Sequence, residues 1–495
     1  EHELRAISHG LRRVPMTSGD SFMLGLTIIE SGRVINIPYF DIRRAQLLEY
    51  DLALAFNGFT KKTAKRIGLL SPLIPPRVAF GNREGMSFIG ELKRAYDLAI
   101  IPHFKDSLPE GLDVLIAIDA TILRKELLFA IDQFVMKGGK LIVMVDPYVR
   151  FNKASNIVIP KPSIEVNDIS DLLLAYGLKF NNNVVGDMSV ASIALDREQQ
   201  RVNYPFWMRL RTENFSTLHP TTASLNEIFF AEGGYFEIVS NFDSITSLLK
   251  TSGNSGVIER GRFSNNTPRK LALSFLSDQK QRTLAAHVGG SIRSAFGKDV
   301  SAGSADNFRN KSSGNPQVFA IADVDWVFDP FSVQSVNIGG ETVVRPLNDN
   351  LTLLLNIIEY ASGESSLISI RSRGKIQRPF NAIQSLIRNA EEKFHLKEVD
   401  LNKKAERIEE KISKIFKNAG TKDLSRLPIN VKKELLSFRD ELLKVRSELR
   451  KVRFLLRSDV DFLSGFLALL NILSGPLVSL LFAVIIFSFR RRSYH

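Results

Sequence analysis

Residues 1–365 predict an α/β fold built on a mostly parallel sheet, and three observations carry that prediction. Short apolar runs of buried-strand type recur at RIGLL (66–70), LAII (98–101), VLIAI (114–118) and KLIVMV (140–145). Helical patterns lie between them, MSFIGELKRAY (86–96) and RKELLFAIDQFVMK (124–137), the second stopped by Gly138-Gly139. The alternation itself is the third observation, because strands separated by helices of this length pair in parallel with helices on both faces.

The remaining elements fit around this unit. A hairpin is expected at 22–40, turning at Glu30-Ser31-Gly32, followed by a helix over 42–56. DISDLLLAYGLKF and NNVVGD (168–187) read as one more helix–strand step, and the pattern then becomes irregular near 190–270, where a subdomain break is expected. Residues 289–316 are rich in Gly, Ser and Asn and read as a long mobile loop. A strand, VFAIADVDWVF (318–328), and a helix near 351–360 close the head.

The C-terminal part has a different character. Hydrophobic residues return every seven positions at Ile387, Phe394, Leu401, Ile408 and Ile415. Beyond Asn418-Ala419-Gly420 and Pro428 the spacing restarts at Val431, Leu435, Phe438, Leu442, Val445, Leu449, Val452 and Leu456, in alternating steps of four and three. That is a coiled-coil seam, and two such helices joined by a short link fold back as an antiparallel hairpin, placed at 378–460. From Phe462 to Phe489 there are 28 residues without a charged side chain or a histidine, where a bilayer core needs about 20. A transmembrane helix over 462–489 with a short basic tail, 490–495, is the expectation. Asn471, Gly475, Ser479 and Ala483 form one stripe of that helix, and small residues at this spacing let a second helix approach.

Charge and composition narrow the function. The net charge of +13 is confined: residues 1–370 carry 39 basic and 39 acidic side chains, whereas 371–457 carry 24 and 12. Such a stalk suits an acidic partner or anionic headgroups, and its aromatics lie in or near the seam, so nucleic acid is not expected. With no cysteine, disulfides, thiolate metal sites and a cysteine nucleophile are excluded. GGSIRSAFGKD (289–299) fails as a phosphate loop, because Ile292 stands where Gly is needed and Asp299 where Ser or Thr is needed. The seven histidines show no metal-ligand spacing and no G-x-S-x-G elbow occurs, so no cofactor or metal and no enzyme are expected. The candidate ligand residues are acidic. Asp323, Asp325 and Asp329 alternate near a strand end, where carboxylates hold a hard cation or polar ligand, or more often cap the next element. Asp146 ends a predicted parallel strand, where α/β sheets bind ligands.

Several stretches together resemble the GldG-like family, auxiliary non-ATPase components of gliding-motility-associated ABC-type transport systems. They are RIGLLSPL (66–73), FVMKGGKLIVMVDPY (134–148), IADVDWVFDPF (321–331), NDNLTLLLNIIEYASGESSLISIRSRG (348–374), RPF (378–380) and the heptad hairpin leading into the last helix. The resemblance implies a flavodoxin- or class I glutamine amidotransferase-like head, without amidotransferase activity since no Cys is present. It further implies an integral membrane permease and a separate cytoplasmic ATPase as partners. In a bacterial inner membrane the head would be extracytoplasmic and the C-terminus cytoplasmic. The family carries a further N-terminal membrane helix, and a chain opening Glu-His-Glu-Leu is therefore expected to be a shortened one. Residues 442–461 hold six Lys and Arg against three after the span, which by itself would place the stalk in the cytoplasm.

The expected function is a non-catalytic accessory or substrate-binding subunit, docked on the permease through its membrane helix; self-association stays open. The alternatives are a membrane-anchored α/β enzyme using Asp146 or Asp323/Asp325/Asp329, and a tail-anchored cytoplasmic protein on anionic membrane.

Overall fold

The computed structural model describes residues 2–15, 21–30, 32–40, 48–60, 65–74, 85–151, 167–196, 201–239, 244–264, 266–297, 308–338 and 341–363. In the C-terminal part it describes 368, 397, 400–401, 404–405, 407–415 and 431–451. The chain divides into two units, Glu1–Arg378 and Pro379–His495.

Nine strands form the main sheet of the first unit: β1 (Arg66–Leu70), β2 (Asp97–Ile101), β3 (Val114–Ile118), β4 (Lys140–Met144), β5 (Leu178–Asn181), β6 (Tyr235–Ile238), β7 (Ile245–Lys250), β8 (Thr283–Val288) and β9 (Gln317–Ile321). Their order is β2-β1-β3-β4-β9-β8-β6-β5, with β7 also on β8. The first five run parallel, and their order 2-1-3-4-5 by position along the chain is that of flavodoxin-like sheets. The other four strands add antiparallel, an extension that the alternation of strands and helices does not predict.

Both faces of the sheet are covered, which is why its strands read as unbroken apolar runs. One face carries Ile67, Ile116, Met144, Phe319 and Ile321 against helix α1 (Ser87–Ala95) and helix α4 (Asn350–Ala361). The other carries Leu115, Val143, Val318 and Ala320 against α2 (Lys125–Met136) and α3 (Ser170–Ala175). Helix α2 ends where Gly138 takes φ 91°, a left-handed conformation costly for any residue with a Cβ.

The irregular region builds its own core. Val184–Asp187 pairs with Ser255–Ile258, and Ala191–Leu195, Arg201–Arg211 and Glu227–Ala231 form a three-stranded antiparallel sheet. Tyr204, Phe206, Phe263, Leu271 and Phe275 pack together there. The hairpin forms as Leu26–Glu30 paired with Arg33–Ile37, and the helix after it spans Leu48–Thr60.

Two expectations need correction. Strand β9 stops at Ile321 rather than running to 328, and Asp325–Val327 is a 3₁₀ turn. The cause is local: the Val324 and Trp326 amides are taken by aspartate carboxylates instead of a ladder. Residues 289–316 read as mobile, yet their described flanks are fastened to α2. Buried Asp132 accepts from Ser294 Oγ at 2.6 Å and from the Ala295 amide at 3.0 Å, while Gln133 accepts from the Arg309 amide at 2.8 Å.

In the second unit, residues 407–415 and 431–451 are helical. Leu401 packs with Leu449, and Ala405 and Ile408 pack with Leu442, so the two arms run antiparallel. Leu435, Leu442 and Leu449 are buried while Val431, Phe438 and Val445 are half-buried. Arg446 bridges to Glu409 at 2.8 Å. Among the described residues no helix is long and apolar enough to cross a membrane. Val452, Leu456, the stripe Asn471, Gly475, Ser479 and Ala483, and the whole of 462–489 lie outside the described residues.

Candidate functional site

Parallel strands bring their carboxyl ends to one edge of the sheet, and here three neighbouring strands each end in aspartate. In register, Ile118 lies beside Met144 and Met144 beside Ile321. One step further Asp119 donates its amide to Met144 O at 3.0 Å, and two steps further stand Asp146 and Asp323. Asp325 follows in the 3₁₀ turn. Oxygens of Asp146, Asp323 and Asp325 lie within 4.8 Å of one another, and all three residues are buried. Asp329 is not in this group. It opens the short helix Asp329–Ser332, and its carboxylate takes the Ser87 amide at 2.7 Å and the Ser87 hydroxyl at 2.8 Å, which fastens α1.

Each carboxylate oxygen of the three accepts a main-chain N–H. Asp146 takes those of Tyr148 (2.7 Å) and Val324 (2.9 Å); Asp323 takes those of Ala231 (2.6 Å) and Trp326 (3.1 Å). Asp325 takes Arg150 and Phe151, both at 2.7 Å. The turns after β4 and β9 are thus folded around one acidic centre. The Phe151 ring stacks on Phe328 with centroids 3.8 Å apart, which locks the two turns together from the apolar side.

Electrostatically the centre is crowded. Burial, then the charges of Asp323 and Asp325, raises the Asp146 pKa well above the carboxylate range; burial, then Asp325, does the same at Asp323. Asp325 is raised to about 7, chiefly by burial, with its two amide bonds opposing the shift. At Asp119, burial and then Asp168 and Asp325 raise it to about 7.

An arginine sits beside this group but is already committed. Arg150 Nε donates to Glu232 at 2.9 Å and its Nη2 bonds the other Glu232 oxygen, which also accepts the Tyr204 hydroxyl at 2.6 Å. The guanidinium lies 5.6 Å over the Trp207 ring. Burial works against its charge, yet the Glu232 hydrogen bond and charge overcome that and raise its pKa. Glu232 takes φ 60° and Asp119 φ 50°, a conformation uncommon for residues other than glycine. Asp119, Arg150, Tyr204 and Glu232 escape the reading of the sequence. Only Asp119 had a signal: like Asp146 and Asp323 it directly follows a buried apolar strand.

The class defined by these features is an α/β head with an acidic centre at the carboxyl edge of a flavodoxin-ordered sheet. Within that class, the chain belongs to the family of ABC-type uncharacterized transport systems, as an auxiliary component; the family matches residues 64–357, from the first parallel strand to α4. This agrees with the resemblance to GldG-like components, and membership implies a transporter complex as partner and points to a non-catalytic role. No curated protein matches the chain. Among solved structures it is similar to a ThuA-like protein from Bacteroides uniformis ATCC 8492, with 12% identity over 61% of this chain and 93% of that one, at a TM-score of 0.29.

Proposed function

We propose that the chain is a membrane-anchored, non-catalytic subunit of an ABC-type transport complex. Family membership across the whole parallel sheet carries this reading, together with a sequence that holds no phosphate loop. In it, the segment 462–489 spans the bilayer and docks on an integral permease through Asn471, Gly475, Ser479 and Ala483. The antiparallel heptad hairpin is a coiled-coil stalk, a separate cytoplasmic chain hydrolyses ATP, and the head stands outside the cytoplasm to receive a substrate or another subunit. The acidic centre supports a binding rather than a catalytic role, because its six carboxylate oxygens each already hold a main-chain amide and so fix the shape of the sheet edge.

A second reading, a cytoplasmic head on a tail anchor, is favoured by one observation, the six basic residues before the span against three after it. The positive-inside rule weakens for long domains, which cross largely regardless of charge. The two readings separate by topology. Because the chain lacks cysteine, Ser107→Cys, on an exposed loop, gives one reporter. In intact cells with an opened outer envelope, a membrane-impermeant maleimide is expected to label it. Labelling only after the inner membrane is permeabilised would sink the extracytoplasmic placement.

A further inference from the structure

We propose that the outer face of the hairpin's second arm, centred on Leu436 and Leu443, docks an acidic amphipathic helix of another subunit of the transport complex. This rests on the reading that the chain works in such a complex, and it names the chemistry of one contact there. The inward face of helix 431–451 is already covered: Leu442 packs against Ala405 and Ile408, and Leu449 against Leu401. Leu436 and Leu443 each follow a buried leucine by one residue, which turns them about 100° off that seam. They are 46% and 58% exposed, where Leu435 and Leu442 are 1% and 9%. Exposed leucines scattered singly are ordinary. These two are the only large hydrophobic side chains exposed among the described residues of the second unit, and they stand seven positions apart, so they lie on one line along the helix.

The neighbours of this line set the charge of the partner. Residues three or four positions away share the same helix surface. Around the two leucines these are Lys432, Lys433, Arg439, Asp440, Arg446 and Ser447, four basic side chains to one acidic. The five charged ones are exposed, and among the described residues only Arg446 meets a carboxylate of the other arm, Glu409 at 2.8 Å. A leucine line with basic flanks fits a helix that carries its own apolar line beside Asp or Glu, the charge pairing by which coiled coils choose partners. A second copy would set two basic faces against each other. A bilayer surface is met by helices with a broad apolar face and aromatic residues, which this line of two leucines lacks.

Photo-cross-linking of the full-length chain in its native membranes tests this, with benzoylphenylalanine placed at Leu436 or Leu443. The exposed Glu441, on the other flank of the seam, is the control position. The cross-linked peptide, mapped by mass spectrometry, should belong to another protein and carry heptad-spaced apolar residues with net acidic flanks; Glu441 should give no such product. Arg439→Glu should lower the yield about tenfold, because a like charge set across a contact is strongly unfavourable, while the helical circular-dichroism signal stays unchanged. Cross-linking to lipid, to a second copy or to a segment without acidic flanks would overturn the proposal. So would the absence of any product at both leucines, or a yield indifferent to Arg439→Glu in a chain that keeps its helical signal. Co-purification of a permease and an ATPase, scored in the same cells, separates the two failures. With both recovered and no such cross-link, the docking face fails alone; with neither recovered, the transport reading fails as well.

Discussion

Single side chains hold the head together where its sheets meet. Asn350, fully buried at the start of α4, donates to the carbonyls of Trp326 (2.6 Å) and Phe229 (3.0 Å) and accepts the Phe229 amide at 2.9 Å. Replacing it with alanine strands three buried polar groups, each costing about 1–3 kcal/mol, with partial relaxation. Asn350→Ala should therefore lower stability by about 3 kcal/mol in urea unfolding of the head signal, against less than about 0.5 kcal/mol for the exposed Glu409 of the Arg446 pair. A second buried pair sets a pH dependence. His287 Nε2 donates to Gln317 Oε1, leaving Nδ1 to accept from His219 Nε2 at 3.2 Å, while His219 Nδ1 accepts from Thr221 Oγ1 at 2.8 Å. This chain needs both rings neutral. Burial, then His287, lowers the His219 pKa to about 4, and burial lowers His287, with Gln317 opposing. The folded state therefore binds fewer protons than the unfolded one. The stability from this pair is present above about 6.5 and is lost as pH falls towards 4. The difference in urea midpoint between wild type and His287→Gln should shrink from pH 7.5 to pH 4.5; a constant difference would contradict this.

Elements differ in how far their sequences announce them. RIGLL, VLIAI and KLIVM were legible because burial on both faces leaves no polar position to confuse the pattern. The antiparallel extension was not legible. Its strand Tyr235–Ile238 carries an exposed Glu237, and its partner Leu178–Asn181 lies more than fifty residues away, so neither length nor local pattern specifies the pairing. The acidic centre was half-legible for a related reason. Asp146, Asp323 and Asp325 stand at strand ends in the sequence, but Asp329 stands beside them there and turns away to Ser87. Arg150 and Glu232 meet only through the tertiary fold, across 82 positions. In the heptad hairpin, Leu442 is buried against Ala405 and Ile408. Leu442→Ala should cost about 2–3 kcal/mol of helical-hairpin stability, read as a lower midpoint of the helical circular-dichroism signal at 222 nm. The exposed Leu443→Ala, one position on, should change it by less than about 0.5 kcal/mol.

For the whole molecule, charge and apolarity are segregated along the chain. A neutral α/β head is followed by a basic helical hairpin and then by 28 uncharged residues. In the function proposed above, ATP is hydrolysed by a separate chain. In that proposal the head contributes a shaped surface, the stalk a distance from the bilayer, and the final segment a contact within it. The direct test is affinity purification of the full-length chain from native membranes, beside the Gly475→Leu variant, with quantitative mass spectrometry and an ATP-turnover assay. Recovery of a polytopic permease and a separate ATPase with wild type, and their loss with Gly475→Leu, is the predicted result. Recovery of neither partner with wild type, or ATP turnover by the chain alone, would contradict the account.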